Sequence, residues 1–121
     1  KDRRKQLNRL IEHILESVPS HSPLIVAGDF NDWKNYANQH LLTKLNMKEA
    51  FHSIHGKLAT TFPSKLPILP LDRIYYRNLK CSSAHLLKDR LWSRLSDHLP
   101  LVAKFELLPE VNLDIASEIQ I

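Results

Sequence analysis

The sequence predicts an α/β fold in which helices pack on a mixed, largely antiparallel sheet. Two patterns near the start of the chain carry this prediction. Apolar residues repeat at helical spacing over the first 18 residues, as in an amphipathic helix with one buried face. A turn then leads into an uninterrupted apolar run at residues 24–27, which is typical of a short strand buried on both faces. A helix followed by such a strand indicates layered helix and sheet around one core.

The first helix is predicted to end near residue 18. Its apolar stripe consists of Leu7, Leu10, Ile11, Ile14, Leu15 and Val18. Pro19 and then Pro23 end the helix, because proline has no backbone N–H donor and disfavours helical backbone in the residue before it. The strand that follows ends at Gly28 and Asp29.

Further elements follow along the chain. A second helix is predicted over residues 35–44. Residues 52–70 contain a glycine and three prolines and predict a long surface loop. Apolar and aromatic runs predict strands at 71–77 and 81–87, which we expect to pair antiparallel because they are so close in sequence. The final predicted strand covers 101–107.

Composition indicates one globular domain of 121 residues, with 43% hydrophobic and 25% charged residues. We assign residues 1–108 to this domain and 109–121 to an acidic C-terminal tail. Residues 1–105 carry 17 basic and nine acidic side chains, a net charge of +8. This balance suits a phosphate-bearing partner such as a nucleic acid or a phospholipid headgroup, although a solvated basic surface explains it equally well.

Several function classes are excluded or disfavoured. No run of 18 apolar residues exists, so we expect no transmembrane segment. Cys81 is the single cysteine, which excludes a disulfide framework and leads us to expect a cytoplasmic location. With two glycines, Gly28 and Gly56, the chain has no glycine-rich phosphate loop.

The first group of residues suited to chemistry is GDFND at 28–32. On an extended chain Asp29 and Asn31 project to the same side. A carboxylate can orient or deprotonate a water, and an amide can hold a phosphoryl oxygen. An Asp/Asn turn after a strand is the simpler alternative.

Two further motifs contain a carboxylate next to a strand. In SDHLP (96–100), Asp97 could ligate a hard divalent metal and His98 could donate to a developing phosphate charge. Both can serve one site only if this segment is irregular; a capping Asp beside a surface His is the alternative. In LDRIY (71–75), Asp72 needs a partner, either a histidine ring or a neighbouring arginine.

Together, GDFND, LDRIY and SDHLP in this order resemble the endonuclease/exonuclease/phosphatase family of metal-dependent phosphoesterases. The resemblance covers almost the whole chain and implies the C-terminal half of a deoxyribonuclease I-like α/β sandwich. The stretch Thr61, Phe62 and Pro63 with LDRIY is also similar to short bacterial members of the family.

The resemblance also implies residue roles. Asp29 would orient and activate the attacking water, with Asn31 contacting the phosphate. His98 would stabilise the phosphoryl charge, supported by Asp72, and Asp97 would help hold Mg²⁺ or Mn²⁺. The substrate would be a phosphoester, which includes nucleic acid.

Family members also carry an N-terminal half that supplies an asparagine, a metal-binding glutamate and a further histidine, and these positions do not exist here. We therefore expect a hydrolase domain whose truncated chain is inactive. Two alternatives remain: a non-catalytic fragment that binds nucleic acid or protein, and self-association of two copies through the sheet face that the N-terminal half would cover.

Overall fold

The structure is a computed structural model that describes residues 2–30, 36–109 and 117–120. In chain order the described elements are α1 (Asp2–Ser17), β1 (Leu24–Asp29), α2 (Tyr36–Lys44), β2 (Lys48–Glu49), α3 (Ala50–His55), β3 (Asp72–Arg77), β4 (Leu79–Leu86), α4 (Arg90–Leu95), β5 (Leu101–Leu107) and β6 (Ser117–Gln120).

The described strands form two sheets. One has the order β2-β3-β1-β6, in which β3 runs antiparallel to both β1 and β2, and β6 runs parallel to β1. The other consists of β4 and β5, which pair antiparallel. The predicted fold class, a mixed α/β fold with largely antiparallel sheets and packed helices, is confirmed.

The first core lies between the helices and one face of the larger sheet. From α1 it takes Leu7, Ile11 and Ile14, as the helical stripe predicts. From the centre of the sheet it takes Leu24, Val26 and Tyr75, and α2 adds Ala37 and Leu41. Leu15, predicted on the same stripe, is instead exposed.

The second core lies between the two sheets. The opposite face of the larger sheet presents Ile25, Ile74 and Tyr76. The facing side of β4 and β5 contributes Cys81, Ala84, Leu86, Leu101, Ala103 and Phe105, and α3 adds Ala50 and Phe51. Because β1 contacts both cores, the prediction of a strand buried on two faces is confirmed.

The expected pairing of the strands at 71–77 and 81–87 is wrong. β3 pairs with β1 and β2, whereas β4 pairs with β5 in the other sheet. A single residue, Asn78, joins them in the left-handed conformation (φ 58°), which is too short a link for a hairpin. Its side-chain amide donates to the carbonyls of Ser20 and Ser22 at 2.8 Å, which fixes the point where the chain changes sheet.

The predicted loop 52–70 is shorter than expected, because α3 extends to His55. Glu49 caps this helix by accepting a hydrogen bond from His52 N at 2.8 Å. Gly56 ends it at φ 82°, a conformation that favours glycine. A second short helix, α4, forms where the sequence predicted none.

The C-terminal segment contributes to the sheet. β6 lies within the predicted acidic tail and pairs with β1, while residues 110–116 lie outside the described residues. In the part of the chain that the structure describes, no helix has the length and apolar character needed to cross a membrane.

Candidate functional site

Two carboxylates meet at one end of the strand pair β1–β3. The antiparallel register places Asp29, the last residue of β1, directly opposite Asp72, the first residue of β3. Opposed residues of an antiparallel pair point to the same face of a sheet. Because like charges at this spacing repel each other, the pair requires a neighbouring group that is positively charged or donates hydrogen bonds.

His98 is that group. Its Nδ1 lies 2.6 Å from Asp72 Oδ2, and its Nε2 lies 3.8 Å from Asp29 Oδ2. A carboxylate accepts hydrogen bonds, so Nδ1 carries the proton and donates it to Asp72. Ligand atoms of the three side chains all lie within 4.8 Å of one another, so Asp29, Asp72 and His98, here called the triad, form a possible metal site.

Thr61 holds the triad in place. Its buried hydroxyl donates to Asp72 Oδ2 at 2.6 Å and accepts from the backbone N–H of Asp72 at 3.2 Å. Its carbonyl accepts from the N–H of Leu99 at 2.9 Å. One residue therefore positions both the carboxylate and the segment that carries His98. Sequence analysis assigned Thr61 no role, and its place beside Phe62 and Pro63 in a family-like stretch was the available signal.

The environment of His98 favours its charged form. Partial burial lowers the pKa of His98, but the hydrogen bond to Asp72 and the charges of Asp72, Asp29 and Asp97 outweigh burial, so the pKa lies above its ordinary value. The Phe62 ring packs against the imidazole, with ring centroids 4.9 Å apart. The side chains of His98 and Asp29 are still 31% and 46% exposed, so a solute can reach both.

The remaining predicted site residues are not members of the triad or lie outside the described residues. Asp97 has an exposed side chain on the irregular segment between α4 and β5, and its carbonyl accepts from Ser64 N at 2.7 Å. The segment is thus irregular, which is the condition for Asp97 and His98 to serve one site. Asn31 lies outside the described residues. The roles assigned to all these residues stay predictions.

The alternative partner for Asp72, a neighbouring arginine, is not the partner in the structure. Arg73 is buried, and its Nε donates to the carbonyl of Pro70 at 2.8 Å. Among ion pairs of the described residues, Asp72 pairs with His98.

Thr60, the chain neighbour of Thr61, lines a cavity of about 450 Å³. Lys57 and Lys88 also line it, beside an apolar floor that includes Phe51 and Leu86. An apolar floor with cationic groups suits a ligand that has an apolar part and a negative charge.

The sandwich of helix and two sheets, with a carboxylate–imidazole–carboxylate triad at the end of the central strands, is the arrangement that the motifs predict for a phosphoesterase domain. The model of the Endonuclease/Exonuclease/phosphatase family matches residues 2–98, which include the triad. The chain therefore belongs to this family.

The curated relatives match this chain over segments of similar length, and their names give no activity. The chain is 45% identical over 105 residues to "Uncharacterized protein YbhP" of Escherichia coli (strain K12), a match that covers 87% of this chain and 41% of that protein. It is 35% identical over 107 residues to a "UPF0294 protein" of Vibrio cholerae serotype O1, covering 86% and 34% respectively. The chain thus spans about two-fifths or less of the length of these relatives. No solved structure matches the chain significantly.

Proposed function

We propose that this chain carries part of the active site of a metal-dependent phosphoester hydrolase. The observation that supports the proposal most directly is the position of His98, hydrogen-bonded to Asp72 and 3.8 Å from Asp29. These two partly exposed side chains place a proton donor, His98 Nε2, beside a proton acceptor, the Asp29 carboxylate.

The chemistry of hydrolysis assigns each atom a task. Asp72 holds His98 through Nδ1, so Nε2 is directed to the solute side. The raised pKa favours the charged ring, whose Nε2–H donates to a non-bridging phosphoryl oxygen as negative charge grows there. Asp29 orients the attacking water and accepts its proton as the new P–O bond forms. The P–O bond to the leaving group breaks on the opposite side, and the leaving alkoxide takes a proton from solvent. Asn31 would contact the same phosphate.

The triad and Asp97 differ in how well their side chains fit a metal ion. Asp72 Oδ2 and His98 Nδ1 are committed to each other, and Asp72 Oδ2 also accepts from Thr61. A hard cation such as Mg²⁺ or Mn²⁺ prefers oxygen ligands and water, which the exposed carboxylate of Asp97 fits. We therefore propose Asp97 as a metal ligand. When bound, the metal would neutralise negative charge on the phosphoryl oxygens.

Asp97 alone is a weak metal site, because Mg²⁺ sites depend on several correctly placed oxygens. We therefore propose that the 121 residues alone show little or no turnover. A non-catalytic role in binding nucleic acid is the second candidate, supported by the lysines that line the cavity. Self-association of two copies through the sheet face that the N-terminal half would cover is a third candidate, which a concentration-independent monomer in sedimentation would exclude.

The test uses this chain and a chimera in which it replaces the matched 105-residue segment of the Escherichia coli relative. Both are assayed with bis(4-nitrophenyl) phosphate and 4-nitrophenyl phosphate in Mg²⁺ or Mn²⁺. We expect hydrolysis by the chimera, with His98→Ala or Asp29→Ala reducing kcat about 100-fold or more. His13→Ala, an exposed histidine on α1, is the control.

Metal-dependent turnover that survives both His98→Ala and Asp29→Ala would contradict the assigned roles. If the 121-residue chain hydrolyses substrate and either substitution abolishes this turnover, only the proposed inactivity of the chain is contradicted. Salt-dependent DNA binding without metal, unchanged by Asp29→Ala, would favour the binding module.

A further inference from the structure

Two segments beside the triad form one surface. The first is the loop 62–69, in which Phe62 O accepts from the N–H groups of Ile68 and Leu69. The second is residues 88–96, which contain α4. Ser64 joins them, because its hydroxyl donates to the carbonyl of Ser93 at 3.0 Å. These two segments are called the loop–α4 surface below.

This surface exposes the most accessible large apolar side chains of the described residues. Leu66, Ile68, Leu91 and Leu95 are 60–70% exposed. In α4, Leu91 and Leu95 are four residues apart and so share one side of the helix, while Trp92 and Ser93 are half-buried. The helix therefore presents its leucines to solvent. Clustered exposure of this kind marks an interaction site rather than ordinary surface.

Basic side chains lie among these apolar ones. Lys65, Lys88, Arg90 and Arg94 are all exposed, and the single acidic residue of the two segments is Asp89. Aliphatic side chains next to cations match an anionic bilayer, where the apolar groups enter the interface and the cations meet lipid phosphates. Single-stranded nucleic acid is a poorer match, because its sites stack bases on exposed aromatic rings, whereas the most exposed apolar side chains of this surface are leucine and isoleucine.

We infer that the loop–α4 surface docks the protein on an anionic phospholipid bilayer. The triad would then lie next to the lipid headgroups, since Phe62 begins the loop and its ring contacts His98. The inference concerns attachment and does not depend on the proposed hydrolysis.

The test measures co-sedimentation of the 121-residue chain with vesicles of phosphatidylcholine, with and without phosphatidylglycerol. We expect binding to the anionic vesicles. Leu66→Gln with Leu95→Gln should weaken it about tenfold or more, because each leucine loses apolar burial. Arg90→Gln with Arg94→Gln should weaken it about fivefold or more and reduce its dependence on salt.

Matched controls lie on α1, where Leu15 and Arg9 are exposed. Leu15→Gln and Arg9→Gln should leave binding within twofold of the unsubstituted chain. His98→Ala should also leave binding unchanged, which separates this inference from the proposed function. Circular dichroism of each variant confirms that it is folded.

Any of five outcomes would overturn the inference. Vesicles that do not bind the chain, or that bind the leucine variant equally well, exclude apolar insertion. Equal binding with and without phosphatidylglycerol excludes the electrostatic contribution. Binding of short DNA that only the arginine variant weakens identifies a nucleic-acid surface instead. A dimer that Leu66→Gln dissociates in sedimentation identifies a contact between two copies.

Discussion

The two ends of the strand pair β1–β3 differ in the burial of their charged side chains. At one end Leu24 lies opposite Arg77, and at the other Asp29 lies opposite Asp72. Arg77 is buried, and its guanidinium donates to the carbonyls of Leu45, Val18 and Pro19 at 3.0–3.5 Å. The triad, in contrast, keeps solvent-accessible atoms on His98 and Asp29.

This difference separates stability from chemistry within one pair of strands. Burial lowers the pKa of Arg77, and the carbonyls that follow α1 and α2 offset the cost of burial by accepting its hydrogen bonds. This cation joins the helices to the sheet through its two terminal nitrogens, while its buried Nε has no hydrogen-bond partner among the described residues. At the triad end, one histidine compensates two carboxylates and remains reachable by a solute.

Removing the buried cation should have the largest effect on stability. Arg77→Met removes the buried hydrogen bond to the carbonyl of Leu45 and the part-buried ones to Val18 and Pro19, and we expect a loss of about 2–4 kcal/mol in the free energy of unfolding. Urea denaturation followed by circular dichroism measures it. Arg9→Met, on the exposed side of α1, should cost less than about 0.5 kcal/mol. An Arg77→Met variant as stable as the original chain would show that this end does not depend on its cation.

Breaking the Asp72–His98 hydrogen bond should have the next largest effect. Asp72→Asn removes the accepting charge, so the pKa of His98 should fall, and stability near pH 6 should drop by about 1–2 kcal/mol. A raised folded pKa stabilises the protein below the ordinary value of 6.5, and this contribution is lost as pH rises through the folded pKa. Asp72→Asn should therefore flatten the dependence of stability on pH above 6.5.

NMR titration of the His98 ring follows the pKa directly. Thr61→Val is the matched control, because it removes a hydrogen bond to Asp72 but keeps the charge. The pKa of His98 should stay raised in Thr61→Val and fall in Asp72→Asn. Equal behaviour of the two variants would mean that the Asp72 charge is not what holds the proton.

Local patterns in the sequence were enough to predict the central elements. The apolar stripe of α1 has a clear periodicity and, apart from Leu15, packs in the first core, and the uninterrupted run at 24–27 contributes to both cores. The change of sheet at Asn78 could not be predicted, because it depends on carbonyls of Ser20 and Ser22, more than 50 residues away. The start of α3 similarly depends on Glu49, whose second oxygen accepts from Ile74 N across the sheet.

The three residues of the triad were named as candidate site residues from the sequence alone. Each of Asp29, Asp72 and His98 lies in a motif beside a predicted strand, and the structure brings these three together. The register of β1 and β3, which places Asp29 opposite Asp72, was not predicted, and His98 reaches Asp72 from the segment between α4 and β5. Thr61 was indicated only by its place beside Phe62 and Pro63 in a family-like stretch, because a threonine in a proline-rich loop gives no further sign that it is buried against a carboxylate.

The smallest expected effect is that of Asp29→Asn, which tests how the charges of the triad compensate one another. Asp29→Asn removes an attraction to charged His98 at 3.8 Å and also removes the repulsion of Asp72 across the strands. Attraction dominates while His98 is charged, so the substitution should destabilise the protein by about 0.5 kcal/mol at low pH. Once His98 is neutral this attraction is lost while the repulsion of Asp72 remains, so the same substitution should stabilise the protein by a similar amount. Urea midpoints on either side of the His98 titration measure this reversal. Glu12→Gln, on exposed α1, should show none, and a change of the same sign at both pH values would mean that His98 does not compensate the two carboxylates.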